Sequence, residues 1–186
     1  MNKKFYDVAI NNNSKWKKAI YREEELYSRE NDLRSEFERD YTRILHSLAY
    51  RRLKHKTQVF FNTQNDHICT RMEHVAHVES ISYTISKELG LNSELTKAIS
   101  IGHDLGHAPY GHVGERALNE KLQEKGFGYF CHNANSVRNI LYLERNGKGY
   151  NVSLQVLDAI LCHNGEMLSK KYEPDRIFCG NTEDLI

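Results

Sequence analysis

The chain has 186 residues, with 26 Lys+Arg against 25 Asp+Glu and a formal net charge of +1 when histidine is neutral. That length suits one ordinary domain, and the balanced charge argues against a protein whose main business is coating a nucleic-acid backbone. Residues 1–10 are not followed by an apolar run of signal-peptide length, no later run reaches a membrane span, and Cys69, Cys131, Cys162 and Cys179 form no Cys-x-x-Cys pair, so the expectation is a cytoplasmic protein with structural thiols. Histidine is the outlier, with ten in all and a cluster from His67 to His112.

Only Pro109 and Pro174 interrupt a chain rich in apolar residues at three-and-four spacing, which favours an all-helical domain over a sheet protein. Residues 1–30 are polar and charged, and Asn11 to Ser14 break the chain before a short amphipathic segment over 16–27. Over 28–53, Leu33, Phe37, Tyr41, Ile44, Leu45 and Leu48 step along one helical face. The periodicity is lost over 56–66, where Thr57, Val59, Phe60 and Phe61 predict an extended or irregular crossover. Over 71–89, Met72, Val75, Val78, Ser82, Ile85 and Leu89 trace a stripe, with Gly90 as the stop and His74 and His77 in the first half. Ser93 is the expected cap of the next helix, which carries Glu94 in its first turn and leads through Leu95, Ala98, Ile99 and Gly102 to His103 and Asp104. After the break at Pro109, helices are predicted over 113–125, 133–145 and 153–163, ended by Gly126, Gly147 and Gly165. The last twenty residues show no clear pattern.

The segment SIGHDLGHAPYGHVGE, residues 100–115, packs three histidines, two carboxylates and four glycines into sixteen positions. His103 and Asp104 are neighbours, so their side chains diverge by about 100° on a helix, yet an ion between that helix and another can take both. His74, on a separate helix upstream, completes a nitrogen, nitrogen and oxygen set for a divalent ion. An isolated His-Asp pair is more often a hydrogen-bonded structural feature, so context decides. His112 and Glu115 are three apart and can share a face, with the carboxylate orienting the imidazole; the bland reading of Glu115 is a first-turn carboxylate favoured by the helix dipole. Arg71, three residues before His74, places a guanidinium where it can hold phosphate oxygens through two parallel hydrogen bonds. His107 would share the face of His103 if the helix continued, but Gly106 and Pro109 oppose this, leaving it a supporting role. His77 is equally well explained as a polar helix edge, and the basic run RRLKHK over 51–56 as a solvated or phosphate-facing surface.

Four stretches, FERDYTRILHSLAYRRLKHKTQVF, TRMEHVAHVESI, AISIGHDLGHAPYGHVGERAL and FCHNANSVRNI, together resemble the HD phosphohydrolase superfamily, and within it the deoxyguanosine triphosphate triphosphohydrolase branch, in the same order. The resemblance implies an all-α HD-domain helical bundle over 31–186, incomplete at its C-terminus, after a polar segment over 1–30. It implies hydrolysis of dGTP or another deoxynucleoside triphosphate to deoxynucleoside and triphosphate, with a divalent ion (manganese, magnesium, iron or similar) on His74, His103 and Asp104. His112 and Glu115 match the catalytic pair, Arg71 and His132 match residues at the phosphates, and Gln58 matches a glutamine at the deoxyribose. The fourth metal ligand of the family is an aspartate well downstream. Residues 164–186 hold no convincing match, with Asp175 and Asp184 weak substitutes, and Asp158 in LQVLDAILCHNGE reads as structural. The family's catalytic domain is longer than this chain, so the expectation is an N-terminal fragment, which need not be active alone. A homo-oligomer and a single-stranded DNA effector are implied in the same way. Three competing readings stand: an HD-type phosphodiesterase or phosphomonoesterase, against which KTQVF and GHVGE count; a catalytically incomplete nucleotide-binding regulatory module, which the missing aspartate favours; and a nucleic-acid-binding protein, which the balanced charge does not encourage.

Overall fold

Ser35 and Glu38 cap each other's backbone amides and so start the first long helix of the computed structural model, which describes residues 14–25, 31–58 and 67–164. That helix, α2 (Glu36–Leu45), follows a one-turn helix, α1 (Trp16–Ala19), whose Trp16 ring packs edge-on against Phe37 at 5.6 Å. The predicted helix over 28–53 is therefore shorter and divided. Residues 26–30 lie outside the described residues, Leu33 precedes the cap and is 98% exposed, and the helix stops at His46. The Ser47 hydroxyl accepts from the Tyr50 amide and starts α3 (Leu48–Arg52) afresh, leaving Leu48 62% exposed rather than on the buried face. A remote carboxylate completes this second start: Glu144 accepts from the amides of Leu48 and Ala49 at 3.0 and 2.7 Å.

A turn of 3-10 helix, Leu53–His55, leads into the crossover, where Thr57 makes an isolated antiparallel bridge with Thr70. Val59, Phe60 and Phe61 lie outside the described residues. The helix α4 (Arg71–Leu89) has the predicted bounds, with a Thr70–Glu73 capping box and Gly90 in the left-handed conformation at φ 77°. Its buried residues are Arg71, Val75 and Ser86, whereas Ile85, placed on the buried stripe by spacing, is 54% exposed. Asn92, not Ser93, caps α5 (Ser93–Gly102) by accepting from the Leu95 amide at 2.8 Å.

All regular elements among the described residues are helices, in agreement with the all-α expectation. Helix α5 packs against α4, α2 and α9 (Leu154–Leu161), which gathers Phe37, Ile44, Val75, Ala98, Ile101, Val156 and Ile160 into one core. Two elements flank it: α6 (Gly111–Glu124), which buries no residue fully, and α7 (His132–Arg138). The predicted continuous helix over 133–145 is instead α7, a π turn over Asn139–Leu143, and a turn, α8 (Glu144–Gly147), in which Arg145 and Asn146 have positive φ. Asp40, fully buried on α2, accepts from the amide and hydroxyl of Ser153 at 3.0 and 2.6 Å and pairs with Arg22 at 2.5 Å, fastening the N-terminal segment and the start of α9 to the core.

Candidate active site

Three chain junctions meet at one end of the core: the start of α4, the loop after α5, and the start of α7 with the end of α9. The short helix start at Thr70 fixes Arg71 and His74 within the first turn of α4, and the His74 amide donates to the Thr70 carbonyl at 3.1 Å. The loop after α5 carries His103, Asp104 and His107, all buried. Each of His74, His103 and Asp104 offers a ligand atom, and these atoms lie within 4.8 Å of one another. His103 Nδ1 is 2.7 Å from the Ser100 carbonyl, which can only accept, so Nδ1 carries the hydrogen and Nε2 presents its lone pair. This nitrogen, nitrogen and oxygen donor set fits a divalent transition ion. Among the described residues no further carboxylate joins the set.

Arg71 Nη1 donates to Asp104 Oδ2 at 2.6 Å with both side chains buried. Burial pushes the Asp104 carboxyl up, but neighbouring His103 and the charge and hydrogen bond of Arg71 outweigh it and hold the group below the usual carboxylate range. Burial likewise lowers His74, and with the Arg71 charge it lowers His107 to about 4, so these imidazoles are neutral near pH 7. Lys56 Nζ donates to the His107 carbonyl at 2.7 Å, and burial followed by the charges of Arg52 and Arg71 brings its ammonium down to about 8.

The loop is strapped to α7 by polar contacts. Ser136 Oγ donates to the His103 carbonyl and accepts from the Gly106 amide, both at 2.8 Å, and Asn135 Nδ2 donates to the Gly106 carbonyl at 2.8 Å. Gly106 permits the approach, because a Cβ there would stand 2.1 Å from the Ser136 nitrogen.

Glu115 joins two imidazoles. Its Oε1 accepts from His132 Nδ1 at 2.9 Å and from the His132 amide at 3.0 Å, while Oε2 stands 3.3 Å from His112 Nδ1. Burial raises this carboxyl, and the hydrogen bonds and charge of His132 more than reverse that, leaving it lowered. The His112 side chain is 77% exposed, at the mouth of the cluster, and the His107 ring stacks on His132 at 4.9 Å. Gln58 lies near Gly111 and Arg71; its buried Oε1, like Arg71 Nε, has no hydrogen-bond partner among the described residues.

The eight residues singled out by sequence thus occur in two neighbouring groups: Arg71, His74, His103 and Asp104, and His112, Glu115 and His132, with Gln58 beside the first. Sequence reasoning passed over His163, whose ring stands 5.1 Å from His103 and 5.3 Å from His132. It also passed over Asn164, whose Nδ2 is 3.0 Å from His132 Nε2. The signal was His163 and Asn164 just after α9, read from sequence only as the end of a helix. Asp158 lies within α9 and outside the metal set, and Asp175 and Asp184 lie outside the described residues.

An all-helical core that presents a His-Asp pair beside a histidine from a neighbouring helix defines a class, and residues 71–179 match the HD domain family. The chain belongs to that family. Its relatives include deoxyguanosinetriphosphate triphosphohydrolase-like proteins: one from Pelagibacter ubique is 50% identical over 135 residues, covering 71% of this chain and 36% of the relative. Others are from Caldanaerobacter subterraneus, 49% identical over 133 residues (72% and 38%), and Clostridium tetani, 47% identical over 136 residues (73% and 38%). The chain spans a little over a third of the length of these relatives. No described helix is long and apolar enough to cross a membrane.

Proposed function

We propose that the chain forms the metal-binding and phosphate-binding side of a phosphohydrolase that converts a deoxynucleoside triphosphate to deoxynucleoside and triphosphate. The observation that carries this reading is the meeting of two groups, the His74–His103–Asp104 donor set and the Glu115-linked pair His112 and His132, in one histidine cluster. The names of the relatives point to the same chemistry. A divalent ion on His74, His103 and Asp104 would polarise the α-phosphate and acidify a water molecule; manganese, magnesium and iron are the candidates.

The chain's own residues supply the rest. Arg71 holds Asp104 and turns its remaining donors toward phosphate oxygens. Glu115 fixes both imidazoles, so that exposed His112 can hand a proton to the departing 5′ oxygen while His132 donates toward the phosphates after rearrangement of its Asn164 contact. The unpaired Gln58 Oε1 is an acceptor suited to a deoxyribose hydroxyl. The domain assignment, residues 31–186 as part of an HD bundle behind a polar segment over 1–30, belongs to the proposal, as do a homo-oligomer, a single-stranded DNA effector and a cytoplasmic location.

The absence of a further carboxylate in the metal set among the described residues favours a second reading, a module that binds nucleotide without cleaving it. Triphosphate release from each of the common deoxynucleoside triphosphates, with manganese or magnesium, separates the two. The expected result is release by this chain or by a longer form that contains it, lost in His103→Ala. Nucleotide binding with release by neither form would replace the hydrolase reading with the binding module.

A further inference from the structure

We propose that Lys56 is a positioning residue for the loop after α5: its stem reaches from the start of α4 to that loop and fixes where Asp104 stands relative to His74. The inference rests on the reading of His74, His103 and Asp104 as a metal set. It concerns the last residue of the basic run over 51–56, which the sequence pattern left as a solvated or phosphate-facing surface. Of that run Arg51, Arg52, Lys54 and His55 are exposed, whereas Lys56 is half-buried and turns its ammonium to the loop.

Lys56 is pinned at both ends. Its amide donates at 3.1 Å to the carbonyl of Leu53, whose side chain is fully buried in the core, and its own carbonyl accepts from the Arg71 amide at 2.9 Å. The Thr57–Thr70 bridge stands beside that bond. The backbone is therefore fastened to the first turn of α4, which carries Arg71 and His74. From this anchor Nζ donates to the His107 carbonyl at 2.7 Å and, more weakly, to the Leu105 carbonyl at 3.4 Å.

The loop carbonyls divide between two sides. Those of His103 and Gly106 accept from Ser136 Oγ and Asn135 Nδ2 on α7, and that of Asp104 accepts from the His107 amide at 3.1 Å. Those of Leu105 and His107 have no donor other than Lys56 among the described residues. Both residues are buried, so without the ammonium two carbonyls would lose their partner away from water, and the loop would have to turn outward to satisfy them. Thus α7 holds the loop from one side, and Lys56 holds it from the other and ties it to α4. The Arg71–Asp104 ion pair spans the same gap, but an ion on Asp104 competes for that carboxylate. The carbonyls held by Lys56 are not in the donor set, so this tie persists when an ion binds. With two of its three hydrogens on the loop, the ammonium is poorly placed to serve a phosphate instead.

The test uses the 186-residue chain without nucleotide. Lys56→Met keeps the stem and removes the donors, while Lys56→Arg keeps donors on a stem of similar length. In the metal-free chain, hydrogen exchange at the Gly106 and His107 amides should quicken in Lys56→Met by more than exchange in α2, which follows global stability, and Lys56→Arg should recover part of the protection. Manganese affinity, measured without phosphate, should fall about ten- to a hundredfold in Lys56→Met, the usual effect of removing a group that orients the ligands. Loop exchange that merely tracks α2 would overturn the proposal. Intact manganese affinity in folded Lys56→Met would overturn it too, and if inorganic triphosphate binding were lost there, Lys56 would be a direct phosphate contact. Should the variants fail to fold, the unmodified chain decides: by nuclear magnetic resonance the Lys56 ammonium hydrogens should exchange with water more slowly than those of exposed Lys54, and equal rates would overturn the proposal. If no form binds manganese while loop exchange still depends on Lys56, the metal reading alone fails.

Discussion

A methyl group at residue 106 has no space to occupy: it would stand 2.1 Å from the Ser136 nitrogen and 2.4 Å from the Asn135 carbonyl carbon. These are backbone atoms and cannot swing aside as a side chain would. Gly106→Ala should therefore lower stability by about 1–3 kcal/mol, the usual range for overpacking, and weaken manganese binding, since Asp104 lies two residues away. Urea unfolding and a manganese titration check it, and wild-type values in both would show that the loop is not held against α7 as described. From sequence, Gly106 was legible only as an obstacle to helix continuation. Its real constraint depends on a partner thirty residues later in the chain, which no local pattern reveals. His163 was missed for the same reason. The His-Asp pair and His74 were visible because they fall in a dense motif and on an amphipathic helix, whereas His163 acquires its place only when α9 packs on α5.

Among the elements, α4 is legible with its bounds because its apolar stripe and the Gly90 stop are local signals, and the Thr70–Glu73 capping box that starts it, which the sequence reading did not use, is equally local. The long predicted helix over 28–53 was misjudged because Ser47 looks like one more residue between Ile44 and Leu48. It takes the Glu144 carboxylate, nearly a hundred positions downstream, to help satisfy the amides of a new helix start. The cap of α4 also governs the site, as Arg71 and His74 lie within its first turn. Thr70→Ala should cost about 1 kcal/mol of stability, as loss of a cap hydroxyl commonly does, and should reduce manganese affinity by letting that turn fray. An unchanged manganese affinity in a variant with the expected loss of stability would separate the cap from the ligand geometry.

For the molecule as a whole, the buried histidines set the response to acid. His107 titrates at about 4 in the folded chain, against an ordinary value of 6.5, because burial and then the Arg71 charge oppose its protonation. Between those values the unfolded chain takes up a proton that the folded chain refuses, so the contribution to stability is intact above pH 6.5 and is lost as the pH falls toward 4. His74 and His163, also lowered chiefly by burial, act in the same sense. The urea midpoint should fall across this window, and less steeply in His107→Gln; an equal slope in the variant would remove His107 from the account.

The same scale shows what it means for α6 to bury no residue fully while carrying His112 and Glu115. Its ties to the rest of the fold include the Glu115 bonds to His132 and the Asn119 side chain accepting from the Phe130 amide at 3.0 Å. The carboxylate that orients the imidazoles is thus also a latch for the helix. The proposed chemistry and the docking of α6 share one set of hydrogen bonds, so whatever competes for Glu115 competes for the position of α6, and the pair cannot be dismantled while its helix stays seated by the same contacts.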